Sequence, residues 1–195
     1  MMKHILVFAI VFATLSSNAT ETALFTNEED GRTTLVFENV LQGDQLLVKD
    51  AFGLVLYNEA INKSGQYNKS FDLTTLPNGN YFFELDKKSQ IRIYPFNVVN
   101  TTVTFDKENL KVINKPRVKG EDNTIFIIAD NTEKADYTIE LFYGSTIDSF
   151  EKIYAGTFKN TATIGKKFKL LKDKQEEYLV VITTKDRTFT YSINL

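Results

Sequence analysis

Residues 71–98 lie over residues 168–195 at an offset of 97 without a gap, and this self-match restricts the chain to two copies of one fold unit. Phe71 pairs with Phe168, Leu73 with Leu170, Tyr81 with Tyr178, Lys88 with Lys185, Tyr94 with Tyr191 and Asn97 with Asn194, so 6 of 28 positions are identical. The match is persuasive because the apolar phase is also kept: Phe83 lies over Val180, Leu85 over Ile182 and Phe96 over Ile193. A period of two preserved between the copies is what a repeated strand pair requires.

The same alternation runs through both halves, with no helical period longer than two turns, and it predicts an all-β protein. In the first copy it predicts strands over 33–40, 45–50, 54–61, 67–73, 79–86 and 91–98. Turn signals such as Gln42-Gly43-Asp44, Asp50-Ala51-Phe52-Gly53, Lys63-Ser64-Gly65 and Leu76-Pro77-Asn78-Gly79 separate them. The second copy repeats the plan over 124–128, 137–143, 151–158, 161–170, 178–183 and 188–195. Short strands at this spacing predict two tandem β-sandwiches, over 33–100 and 110–195. Residues 20–32 form a polar N-terminal segment, 101–109 a linker or hairpin, and 110–113 the first strand of the second sandwich. So short a linker predicts a semi-rigid joint.

Residues 1–19 read as a secretory signal peptide. Lys3 and His4 precede an apolar run over 5–15, and Ser17-Asn18-Ala19 offers a small-x-small site, so cleavage is expected after Ala19. The run is too short to span a bilayer, and no later stretch reaches the roughly 20 apolar residues a span needs. Export through the inner membrane to the periplasm or cell surface is the expectation. The chain has no cysteine, which excludes both disulfides and an acylated-cysteine lipid anchor. Without the signal, 22 basic residues face 25 acidic ones, a balance that gives no reason to expect nucleic acid as a partner.

The run Leu76-Pro77-Asn78-Gly79-Asn80-Tyr81 has a mechanical reading. Pro77 presets φ, Gly79 is expected to take the positive φ of a tight reversal, and Tyr81 enters the strand two residues before buried Phe83. Tyr81 then stands where immunoglobulin-like sandwiches carry a tyrosine corner, and Tyr178 holds the matching place in the second copy. Together with Phe71-Asp72-Leu73 and the Asp50-x-x-Gly53 hairpin, this motif resembles the C-terminal sorting domain of type IX secretion cargo in Bacteroidetes. The resemblance covers residues 46–98, and a second repeat follows it. It implies an immunoglobulin-like or fibronectin-III-like sandwich, a bacterial source and, as one reading, a role in export.

Chemistry is constrained mainly by what is missing. Once the signal is removed neither histidine nor cysteine remains, which excludes Ser-His-Asp, Cys-His and His-zinc machinery. Gly165-Lys166-Lys167 lacks the upstream glycine and the hydroxyl residue of a phosphate-binding loop. A paired-carboxylate hydrolase needs only Asp and Glu, but Glu28, Glu29 and Asp30 lie in a polar segment with no apolar pocket to raise a pKa. The cluster Asn27-Glu28-Glu29-Asp30-Gly31 lacks the alternating ligand spacing of a calcium loop and reads as a solvated turn. No enzyme, catalytic residue, cofactor or metal is expected.

Two surfaces remain. Lys167 and Lys169 share one strand face within the run Lys166, Lys167, Lys169, Lys172 and Lys174. That face suits an anionic glycan or acidic partner, or serves as a charged edge against aggregation. Ile91 and Ile93 lie opposite Tyr94, Phe96 and Val98 on the last strand of the first copy, where the second copy has Thr188 and Thr190. Either Pro95 marks a bulge that rephases the strand, or Ile91 and Ile93 meet the neighbouring domain or a partner. The expected function is a non-enzymatic binding or structural module of the envelope, its partner a protein or an envelope glycan. Loops 61–67 and 144–149 are candidates for contact. Two alternatives stand beside it: export cargo or adaptor, and a carbohydrate-binding module stacking sugars on Tyr57 or Tyr154.

Overall fold

The computed structural model describes residues 23–28, 31–144, 149–170, 177–184 and 186–194; the segment 1–19 expected to be a signal peptide, with Ala19, and Glu29, Asp30, Lys172 and Lys174 lie outside them. The chain is all-β and forms two tandem sandwiches of antiparallel sheets. The first domain runs through β1 (Ala23–Asn27), β2 (Thr33–Val40), β3 (Gln45–Asp50), β4 (Val55–Ala60), β5 (Gly65–Phe71), a 3-10 turn (Leu73–Thr75), β6 (Gly79–Asp86), β7 (Gln90–Val99) and β8 (Thr102–Phe105). Its sheets, β1-β2-β5 and β4-β3-β6-β7-β8, close on Leu35, Phe37, Leu46, Val48, Phe83, Leu85, Phe96 and Val98. The second domain comprises β10 (Arg117–Glu121), β11 (Thr124–Asp130), β12 (Tyr137–Gly144), β13 (Glu151–Phe158), β14 (Thr163–Lys169), β15 (Glu177–Thr183) and β16 (Thr188–Asn194). Its sheets, β10-β11-β14 and β13-β12-β15-β16, close on Ile125, Ile127, Ile139, Leu141, Ile164, Val180 and Ile182.

The repeat is written into the ladders. Tyr81 opposes Phe96 in the first domain and Tyr178 opposes Ile193 in the second, both at an offset of 97. Leu46 opposes Leu85, and Ile139 opposes Ile182, so β3 and β12 are related by 93 instead. The difference of four residues falls in the β12–β13 connection, whose residues 145–148 lie outside those described.

Three segments differ from the sequence expectation. Within the polar segment 20–32, β1 pairs with β2, and Phe25 stacks on Phe105 with centroids 4.2 Å apart. Alternation is too brief there to announce a strand. β10, also unanticipated, has Val118 as its one large apolar residue and pairs with β11 on one side. The segment expected to open the second sandwich forms β9 (Lys111–Asn114), which pairs with β7 of the first sheet.

Pro95 explains how β7 holds two neighbours on one edge. β9 takes residues 90–93 and β8 takes residues 96–99. The Pro95 carbonyl accepts from the Asp106 N–H at 3.0 Å, so the missing proline N–H faces this same edge, at the break between the two partners. The β6–β7 register is unbroken across it, so no bulge rephases the strand.

At the Leu-Pro-x-Gly-x-Tyr turn, the Tyr81 hydroxyl donates to the Pro77 carbonyl at 2.8 Å and its ring stacks on Phe96. Tyr178 is buried against Tyr143; residues 171–176 before it lie outside those described. Gly79 departs from expectation: it is the first residue of β6 and its φ is not left-handed. A Cβ there would meet the Tyr81 ring at an ordinary 3.5 Å, because the 3-10 turn reverses the chain earlier. The positive φ is found at Gly53 (φ 85°), where the Asp50 carboxylate accepts from Phe52 and Leu54 N–H groups.

Two substitutions separate these glycines. Gly79→Ala should leave stability within about 0.5 kcal/mol, whereas Gly53→Ala should cost about 1–2 kcal/mol, in urea unfolding. Tyr81→Phe should cost about 1 kcal/mol with an unchanged m-value.

Candidate functional site

β6 turns Tyr81, Phe83 and Leu85 toward the first core and Phe82, Glu84 and Asp86 away from it. An outward carboxylate on a free sheet face is ordinarily solvated, yet Glu84 is only 2% exposed. The second domain covers it. Arg187, beside the β15–β16 turn, donates to both carboxylate oxygens at 2.9 and 2.7 Å, and Lys49 of β3 donates at 3.0 Å. Burial alone would raise the Glu84 pKa, but the Arg187 and Lys49 hydrogen bonds and charges outweigh it and hold the carboxyl below the usual glutamate range. Lys115 pairs with Asp86, and the Tyr191 hydroxyl donates to the Pro116 carbonyl close by.

The same junction accounts for Ile91 and Ile93. Ile91 is 3% exposed and belongs to the second domain's core, with Ile93 and Ile113 packed beside it. The offered partner surface is therefore an interdomain contact within the chain. Thr188 and Thr190, which replace these isoleucines in the second copy, are exposed. A cleft of about 490 Å³ borders the junction, lined by Lys88, Lys115, Arg187, Thr190 and Tyr191 among others. Among the described residues there is no group of three or more potential metal-ligating His, Cys, Asp or Glu side chains. Asn27 donates to the Val103 carbonyl and accepts from Thr33, tying β1 to the rest of the sandwich.

A second arrangement occurs once in each domain, at the open side between the edge strands. Lys69 lies over the Tyr57 ring at 4.8 Å, and Tyr57 meets Phe71 edge-on at 5.2 Å. Lys166 lies over Tyr154 at 4.8 Å, and Tyr154 meets Phe168 at 4.7 Å. All three pairs of residues obey the 97 offset. The sequence signal was available, since the repeat reaches back through Lys69 to Tyr57. In the first domain Glu59 binds Lys69, Tyr57 and Tyr67; the Lys69 and Tyr57 bonds hold its carboxyl low, and burial together with Glu59 raises the Tyr67 phenol. Gly156 stands in place of Glu59 and lets Tyr154 lie across it; a Cβ there would strike the Tyr154 hydroxyl at 2.2 Å. Tyr57 and Tyr154 are thus half-buried beneath lysines, each wedged edge-on against a phenylalanine.

Sequence reasoning also missed an apolar hairpin. Phe52 is 96% exposed at the β3–β4 turn, and Leu54, Val55 and Leu56 are 62%, 46% and 44% exposed along the β4 edge. Of the proposed loops, 61–67 begins at buried Ile61, and residues 145–148 of the other lie outside those described.

No family model matches the chain, and no curated protein matches it in sequence. A solved structure described as a biofilm associated protein, BSP domain, aligns at 11% identity and a TM-score of 0.28, covering 89% of this chain and 29% of that one. So low a score carries no argument, and the chain spans under a third of that protein. Among the described residues no helix is long and apolar enough to cross a membrane.

Breaking the latch should uncouple the domains. Arg187→Ala leaves Glu84 without its bidentate partner and should cost about 3–5 kcal/mol, splitting one calorimetric transition into two. Because the Glu84 pKa is lowered in the folded state, its contribution is present above the unfolded glutamate pKa and lost as pH falls through the folded value. The wild-type transition should therefore split on acidification below about pH 4.5. Arg187→Ala should show no such change with pH.

Proposed function

We propose that this chain is an exported, non-enzymatic binding or structural module of the bacterial envelope or cell surface. The observation that carries the binding role is the β3–β4 hairpin and its edge strand. Phe52 at the tip and Leu54 to Leu56 leading into β4 make a contiguous exposed apolar strip on an edge strand paired on one side only, a form suited to a protein partner. The latch around Glu84 supports a structural role, since it joins the sandwiches through a buried charge pair. The perturbed carboxyls among the described residues, Glu59, Glu84 and Asp106, are all held low, by cations, phenols or the Asn109 amide, and are not poised for proton transfer.

Export is tested by fractionating the native host and weighing the intact mature chain. Recovery outside the cytoplasm with a mass starting at Thr20 agrees with the reading; an uncleaved cytoplasmic chain overturns it. Release into the medium would favour the type IX cargo alternative, and periplasmic retention would count against it. Placing a photo-crosslinking residue at Phe52 should give a discrete adduct that the same label at exposed Lys159 does not. Phe52→Ser should change stability by less than about 0.5 kcal/mol while suppressing capture of the wild-type partner.

A further inference from the structure

The outer face of the β10-β11-β14 sheet carries chemistry that its counterpart in the first domain lacks. Equivalent positions follow from pairing: Thr33 opposes Phe71 in one domain and Ile125 opposes Phe168 in the other, the two phenylalanines being repeat partners. In the first domain one outward row is Thr26-Thr34-Ser70 and the next is Leu24-Val36-Asn68. At the same places the second domain has Lys119-Phe126-Lys167 and Arg117-Ile128-Gly165, with Glu121-Thr124-Lys169 beyond. A neutral hydroxyl row, joined by the 2.6 Å Thr34–Ser70 hydrogen bond, has become an aromatic ring between two cations.

Arg117, Lys119, Lys167 and Lys169 are exposed, Phe126 is half-buried, and Ile128 is 44% exposed. Lys167 lies over the Phe126 ring at 5.3 Å. The two carboxylates sharing the face, Glu121 and Asp130, stand at its ends, and Glu121 pairs with Lys119 at 2.8 Å. Four cations thus face two carboxylates. Neighbouring strands place Lys119 and Lys167 roughly 5 Å to either side of Phe126. Backbone groups bond within the sheet plane, so this face has none to offer an added peptide strand.

The geometry points to an anionic polysaccharide as the ligand of this face. Exposed Lys167 swings from over the Phe126 ring to pair with a carboxylate or sulfate group, as Lys119 does on the other side, and a sugar ring packs on the phenylalanine it uncovers, with Arg117 and Lys169 extending the contact along the polymer. A glycan matches an apolar ring flanked by cations better than a nucleic acid does, since the whole chain carries a net charge of −2. This goes beyond the function proposed above by adding a second binding face with its own ligand class, and it rests on that reading for where the glycan is met.

The test is titration of the mature chain with polygalacturonate and with heparin at low salt, with neutral dextran as the control. The variant Lys119→Thr, Phe126→Thr and Lys167→Ser installs the first domain's own row, which that domain already folds around; its melting transition verifies folding. Affinity for at least one anionic glycan should fall about tenfold or more, and the salt slope should flatten. Lys107→Ser with Lys159→Ser, which also removes two exposed lysines, should stay within about twofold. Absence of wild-type binding, equal loss in both variants, or equal binding of poly-glutamate or single-stranded DNA would overturn the assignment. A cytoplasmic location would sink the export reading while leaving this binding result intact, so the two failures are distinguishable.

Discussion

Glu84 is a carboxylate on the outward side of a strand, almost fully removed from water, and such a group persists only where opposing charge comes with the burial. The Arg187 fork supplies it from the other domain, and Lys49 adds a second cation from the neighbouring strand. The exchange runs both ways: the second domain lends Arg187 to the first sheet, and the first lends Ile91 to the second core. Between them β9 is hydrogen-bonded to β7, so the connecting segment is itself part of a sheet. Val181 stands at the position equivalent to Glu84, so the latch exists once.

Much of the fold was legible because alternation and turn chemistry agree locally. β2, β3, β6 and β13 have the bounds that the pattern predicts. β1 and β10 were not legible for a physical reason: each is an edge strand with one ladder partner, so little of its sequence must be apolar. The placement of β9 depends on which edge of β7 is free, which no local pattern encodes. Gly79 misled because a Pro-x-Gly run implies a positive φ, while the reversal is made by the preceding 3-10 turn.

The candidate surfaces were legible to a different degree. Ile91 and Ile93 stood out as apolar where their repeat partners are threonine, but sequence could not say that the cover comes from the same chain. The Tyr57–Lys69–Phe71 cluster and its copy were readable from the offset alone, although only packing reveals that each lysine rides on a ring. Phe52 could not be read as exposed, since a lone aromatic in a turn is as often folded inward.

The stitching of β9 onto β7 bears on how such a chain evolves. A first domain cut free after β8 would carry an open ladder over residues 90–93, and a second domain cut free before β10 would miss Ile91 from its core. The two halves repeat one sandwich plan, yet they are not separable parts. What recombination can now move into another protein is the pair.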